Sequence, residues 1–289
     1  MTTIRRRLVP YFLLGPGLIW LILFFVVPMY FMARLSLESG SLTDGFSFTW
    51  QFSNYADTLS EFDTQFIRSF WYAGVATLAA LLIAYPLAYM IAFKAGRWRN
   101  ALLLAVIAPF FTTYLIRTLA WQTILGDTAF VVEALRTIGI VGENGRVLDT
   151  PWSVIAGLTY NFLPFMVLPV YASLERIDES LIEAAKDLYA SARTAFWKVT
   201  LPISAPGIVA GTLLTFIPAV GDYINADFLG SQNQSMIGNV IQSRYLVVND
   251  YPSAAALSFV LMALIMAAVF VYIRFAGSEA LMGEEAKKA

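Results

Sequence analysis

Residues 221–230, GDYINADFLG, carry the spacing best suited to chemistry in this 289-residue chain. Asp222, Tyr223 and Asp227 put two carboxylates and an aromatic ring within six residues. That set suits a cation. Carboxylates at intervals neutralise it, and an aromatic face adds roughly 0.5–2 kcal/mol of cation–π attraction. Pro218 and Gly221 could open a helix here and free backbone carbonyls as further acceptors, as in the broken helices of transporters. Arg117 is the second charge in an apolar surrounding, and Tyr114, Tyr160 and Asn161 are further pore-lining candidates. Ionisable groups at membrane depth are costly and face protein or water. Arg117 and Asp222 therefore have a competing reading: an ion pair, or a lining of the outer mouth without contact to solute.

Other chemistries lack their residues. The chain has no cysteine and no histidine, which removes thiolates, disulfides and the usual metal ligand and general base. No G-x-x-x-x-G-K-[ST] phosphate loop, H-E-x-x-H or G-x-S-x-G is present. Neither a cofactor nor a metal is expected on this chain, and its basic residues do not form a nucleic-acid surface.

The candidate residues must be positioned by helices in lipid. The chain is 58% hydrophobic and 13% charged, with mean hydropathy +0.67. Soluble proteins carry about 25% charged residues. The apolar residues fall into runs long enough to cross a bilayer, which takes about 20 residues. Spans are expected near 8–33, 69–93, 100–126, 150–174, 203–226 and 254–275, in one transmembrane domain covering 1–289. They must be helical, since lipid offers no partner to backbone N–H and C=O groups. The fold class is all-α. Pro10, Pro16 and Pro28 are expected to kink the first span, whose length marks it as an anchor rather than a cleaved signal. Trp71, Trp121 and Trp152 are expected as interface anchors. Thirteen of the nineteen Lys and Arg residues fall on one side, including Arg5, Arg6, Arg7, Lys94, Lys186, Lys287 and Lys288. That side is the cytoplasmic one by the positive-inside rule, so both termini are expected there.

One polar segment stands out on that side. Residues 183–208 read EAAKDLYASARTAFWKVTLPISAPGI. Glu183, Ala184 and Ala185 are expected to begin a short helix, and a carboxylate at Glu183 would suit its N-terminus. Ile182, Ala185 and Leu188 recur at helical spacing and give it an apolar face. From periodicity alone it is an amphipathic interfacial helix.

The same segment resembles the EAA loop of ATP-binding-cassette import permeases. The match covers Glu183, Ala184, Ala185, Ala190, Phe196, Val199, Leu201, Pro202, Pro206 and Gly207. It departs at Tyr189, where the family has a glycine that permits a tight turn. TYLIRTLAW, NFLPFMVLPVYASLERID and MIGNVI extend the resemblance over nearly the whole chain, toward the spermidine/putrescine-type permeases. The resemblance implies a type I importer permease in a bacterial cytoplasmic (inner) membrane. It implies a second permease subunit, an ATPase dimer that carries the ATP and Mg, and an external solute-binding protein. Residues 175–203 would be the coupling loop, with Glu183, Ala184, Ala185, Asp187, Tyr189 and Ala190 at the ATPase. The cargo implied is a polyamine. Another small organic solute or ion, or an ATP-independent carrier or channel, remains the alternative.

Overall fold

The computed structural model describes residues 13–142 and 145–276. The basic residues before Leu13, Pro10, and Lys287 and Lys288 lie outside the described residues. In chain order the elements are α1 (Leu13–Leu35), the antiparallel strands β1 (Glu38–Ser41) and β2 (Gly45–Phe48), α2 (Ser53–Glu61) and α3 (Asp63–Phe93). A 3-10 turn, Gly96–Trp98, leads into α4 (Arg99–Ile107), and a second, Ala108–Phe111, follows it. Then come α5 (Tyr114–Ile124), α6 (Phe130–Thr137), α7 (Pro151–Glu175) and α8 (Glu179–Asp187). The chain continues with α9 (Ala192–Val220), α10 (Ile224–Leu229), α11 (Ile237–Ser243) and α12 (Tyr251–Ala276).

Among the described residues, α1, α3, α7, α9 and α12 are long and apolar enough to cross a bilayer. The run 100–126, expected as one helix, is instead two, Gly96–Phe111 and Tyr114–Ile124, bent by 96°. Counted as one broken span, they make a sixth. Boundaries also move. α3 starts at Asp63 rather than 69, and the fifth long helix runs from 192 and stops at Val220 rather than 226. α1 is apolar all round and none of it is buried within this chain, as suits a helix facing lipid or a neighbouring subunit. Pro28 lacks the N–H for an i−4 bond, and its ring would clash with the turn before it. A wider π-turn at Ile22–Val26 absorbs this. The same device, Phe196–Thr200, precedes Pro202 in α9.

The chain divides into two compact units. Among the described residues, the first holds 13–63 and 240–262. In it β1 and β2 pair with Glu38 opposite Phe48 and Ser41 opposite Gly45. The Asn54 amide donates to the Ser36 and Glu38 carbonyls at 3.0 and 3.1 Å and fixes the start of the hairpin. Arg244 pairs with Glu61 at 2.5 Å and Asp250 at 3.3 Å, over the Phe62 ring.

Among the described residues, the second unit holds 64–142, 145–239 and 263–276. Its core is built on a buried alanine stripe along α3: Ala73, Ala76, Ala80, Ala84 and Ala88. The spacing of three and four keeps them on one face. Such small residues let helix backbones approach closely, which matters because lipid gives no hydrophobic drive between helices. Met166, Val167, Val170 and Leu174 of α7 fill the cluster. α7 and α9 pack along their length with glycines at the contact. A Cβ on Gly207 would lie 2.5 Å from the Pro169 carbonyl oxygen and 2.6 Å from Ser173 Oγ. Pro206-Gly207, read above as a family feature, is thus a close helix crossing.

Gly207→Val is expected to destabilise the unit by about 1–3 kcal/mol, the usual scale of overpacking. Gly74→Ala, with nothing within 4 Å of its added Cβ, is expected to be neutral or slightly stabilising. Thermal unfolding of the detergent-solubilised chain, read by fluorescence-detected size exclusion, compares the two. Equal midpoints would show slack in the α7–α9 contact.

Candidate functional site

Two helix breaks build the polar centre of the second unit. The first separates α4 from α5. Pro109 sits in the 3-10 turn, and Thr112 and Thr113 are extended at φ −100, ψ 142 and φ −61, ψ 147. β-branched threonines favour that backbone. The second break follows α9, which ends at Val220 with Gly221 as its cap, before α10 restarts at Ile224. The Asn225 N–H donates to Asp222 Oδ1 at 2.8 Å, so Asp222 satisfies a free donor in the first turn of α10.

These breaks aim side chains at one another. The Tyr114 hydroxyl, at the start of α5, donates to Asp222 Oδ2. Asn225 Nδ2 donates to the Tyr114 hydroxyl at 2.5 Å and to Asp222 Oδ1 at 3.2 Å. Asn161 Nδ2, on α7, donates to Asn225 Oδ1 at 3.1 Å and to Thr118 Oγ1 at 3.3 Å. Asn225 is 0% exposed. Gly157 makes room for it, since a Cβ there would fall 2.5 Å from Asn225 Oδ1. α10 is held to α7 at its far end too, where Ser153 Oγ donates to the Leu229 carbonyl at 2.6 Å.

Arg117 lies one turn along α5 from Tyr114 and is 8% exposed. Its guanidinium stacks over the rings of Phe110 and Tyr114, 5.1 and 5.5 Å from their centroids. Its Nε and Nη1 are buried without a hydrogen-bond partner, as is Asn161 Oδ1. No ion pair joins Arg117 to Asp222 among the described residues.

The structure therefore brings together Tyr114, Asn161 and Asp222 of the expected pathway set, with Arg117 beside them, and splits the two carboxylates. Asp227 is exposed, and its carboxylate takes only a 3.5 Å contact from Asn239 Nδ2. Asn239 also donates to the Tyr223 carbonyl at 2.9 Å, leaving the Tyr223 ring exposed. Tyr160 packs edge-on against Trp121, 5.4 Å between centroids. Asn225, the hub, is absent from the candidates that the sequence offers. Its one available signal is the D-x-x-N spacing of a capped turn.

The polar loop has its own logic. α8 begins at Glu179, not Glu183, and Asp178 caps it, accepting from the Ser180 N–H at 2.9 Å. That backbone bond, with the Ser180 hydroxyl, holds the Asp178 carboxyl below its usual range. Glu183 is thus mid-helix, and the N-terminal role expected of it belongs to Asp178. Ile182 and Ala185 are half-buried, and Ile182 packs on the α3–α7 core. Glu183, Ala184, Asp187, Leu188 and Tyr189 are exposed. A cavity of about 150 Å³ lies between Tyr89, Phe93 and Lys94 and the inner edge of α8 at Ile182, Glu183 and Lys186. Arg99, at the start of α4, is held by the Tyr171 hydroxyl and pairs with Glu175 at the end of α7.

Tyr189 takes the conformation expected of the glycine it replaces, with φ 59. Its N–H donates to the Lys186 carbonyl at 2.8 Å, and Ala190 N–H to that of Ala185 at 3.0 Å. These two bonds are the Schellman helix ending, normally closed by glycine. Ser191 then caps α9, accepting from the Thr194 N–H at 3.2 Å. The tight turn between two helices is kept, with a tyrosine that is 98% exposed at its apex.

The family described as binding-protein-dependent transport system inner membrane component matches residues 84–278. The chain is 36% identical over 256 residues to the Haemophilus influenzae spermidine/putrescine transport system permease protein PotB, covering 88% of this chain and 90% of that one. The Escherichia coli K12 protein of the same name is 35% identical, covering 88% and 93%. Among solved structures, a bacterial ABC transporter involved in import of the acidic polysaccharide alginate matches with TM-score 0.68 at 20% identity, covering 94% and 96%. The MetNI methionine ABC transporter matches with TM-score 0.52 at 18% identity, covering 74% and 95%.

A left-handed backbone costs an L-residue about 1–2 kcal/mol, and a β-branched one more. Tyr189→Gly is expected to leave the melting temperature of the solubilised chain unchanged or slightly raised, and Tyr189→Val to lower it. The reverse order would mean that the turn relaxes out of the left-handed region.

Proposed function

Because the chain belongs to the binding-protein-dependent transport system inner membrane component family, we propose that it is a pore-forming permease subunit of a polyamine import system driven by ATP. ATP and Mg bind elsewhere, on an ATPase dimer. A second, similar permease completes the pore, and an external solute-binding protein delivers the cargo. Both termini lie on the cytoplasmic side of the bacterial inner membrane.

One observation carries this reading: the two faces of α8. Ile182 packs on the α3–α7 core and Glu183 borders the cavity beside it, while Ala184, Asp187, Leu188 and Tyr189 are exposed. A helix so fixed moves with the spans it rests on. Small Ala184 lets another surface come close, and large apolar side chains in full exposure mark a contact surface. A push on the outer face would be carried to α3 and α7 without loss in a flexible linker, because capped turns bound both ends of α8.

The cargo reading rests on the PotB-type relatives and on the chemistry of the outer segment. Asp227 and the Tyr223 ring are the exposed carboxylate and aromatic face left for an ammonium group. Asp222 is already occupied by Tyr114 and Asn225 in this state.

Glu183→Arg reverses an exposed charge at the rim of the cavity between α8 and α3. It is expected to reduce the copurifying ATPase at least tenfold at unchanged abundance of the chain in the membrane. Full ATPase recovery with this variant would sink the docking assignment. Asp227→Asn should weaken half-saturation of spermidine or putrescine uptake by roughly two- to fivefold, the scale of one exposed charge contact. Unchanged uptake kinetics would place the cation's path away from Asp227.

A further inference from the structure

We propose that Asp222 exchanges partners during the transport cycle, leaving the Tyr114 hydroxyl for the Arg117 guanidinium, with Asn225 as the positioning residue that holds the carboxylate throughout. The proposal rests on the permease reading above, but not on the identity of the cargo.

The two oxygens of Asp222 are held unequally. Oδ1 takes the Asn225 N–H and amide, both three residues away on the same turn into α10. Among the described residues, Oδ2 takes only the Tyr114 hydroxyl, from a separate helix. Breaking one bond therefore frees one oxygen, while the other stays anchored and the capped turn survives. Arg117 supplies the second partner. Its Nε and Nη1 are buried and unpaired, and a buried unpaired donor, above all a charged one, is expensive. It lies on the ring of the tyrosine that now holds the carboxylate, on the same face of α5. A small rotation of α5 against α10 would take Oδ2 from one to the other.

The surrounding chain permits that rotation. α5 is joined to α4 through two extended residues, Thr112 and Thr113, and α10 to α9 through Gly221–Tyr223. Short element-terminal segments of this kind absorb dihedral change without unpacking a core. Asn225 bonds the Tyr114 hydroxyl, Asp222 and Asn161 together. It therefore keeps Oδ1 in place while Oδ2 changes partner.

The test uses the assembled complex in liposomes. The chain has no cysteine, and a Cβ at Gly221 meets nothing within 4 Å, so Gly221→Cys is a reporter one residue from the switch. Thiol labelling of this chain is compared without nucleotide and after trapping with ATP and vanadate. The parent is expected to change its labelling rate at least fivefold. Arg117→Gln should abolish the change. Asp222→Asn should do the same, because its amide oxygen can keep the Asn225 bonds and its NH2 can meet the Tyr114 oxygen only as a donor, while it offers no charge to Arg117. The double variant should be no worse than either single. Arg117→Lys, which keeps the charge, should retain part of the change, and this pair of variants decides the matter if Arg117→Gln fails to assemble. A full labelling change in Asp222→Asn, multiplicative losses in the double variant, or an unchanging parent would each overturn the exchange. Uptake of radiolabelled spermidine is measured separately: a complex that cycles its label but imports no polyamine overturns the cargo reading alone.

Discussion

A carboxylate withdrawn from water must be given donors, and much of the second unit is arranged around supplying them to Asp222. An unbroken helix has none to spare, since its N–H groups are spent on its own ladder. α9 therefore has to end at Val220, so that the first turn of α10 presents a free N–H at Asn225. The α4–α5 pair has to turn through 96° before the Tyr114 hydroxyl can reach the same group. Gly157 has to lack a side chain so that the Asn225 amide can enter between α7 and α10.

The opposite end of the unit meets a different demand. On the proposed reading, this end would carry motion between a partner and the spans. Alanine on α3 and glycine on α9 bring the three long helices close enough to move as a block. Ile182 fastens α8 to that block, and the Arg99–Glu175 pair with the Tyr171 hydroxyl ties the start of α4 to the end of α7. Fold likeness says nothing of what passes through. The alginate transporter that this chain resembles in shape handles an acidic polymer by its description, whereas carboxylates outnumber cations along residues 221–230 here.

Long uncharged runs make the membrane helices legible, because about twenty apolar residues have few other uses. The break at Thr112–Thr113 is not legible in the same way, since hydropathy is blind to backbone direction. Pro109 and the paired β-branched threonines are the marks to read. Glu183 suggests a helix start because a signature begins there, yet signature and helix need not share a boundary, and the true cap is Asp178. Asp222 draws attention for its charge while Asn225 does not. In a buried cluster the neutral amide, with donors and an acceptor on one short side chain, joins more partners than the ion does. The β1–β2 hairpin gives no clear signal either, its SGSLTDGFSF run being too short and polar to suggest strands.

Tyr189 shows what the turn after α8 has inherited. The backbone bonds of a glycine ending persist around a residue poorly suited to them. If a partner docks here, as proposed, its groove would meet the path of the main chain, with a side chain standing clear of it. Sequence at the apex is then free to drift while shape is not. Asparagine and aspartate, which tolerate the left-handed region, offer stepping stones between the two extremes. On the proposed docking, a lineage could alter the chemistry of the contact at this one position, and so tell one partner from another, without rebuilding the turn.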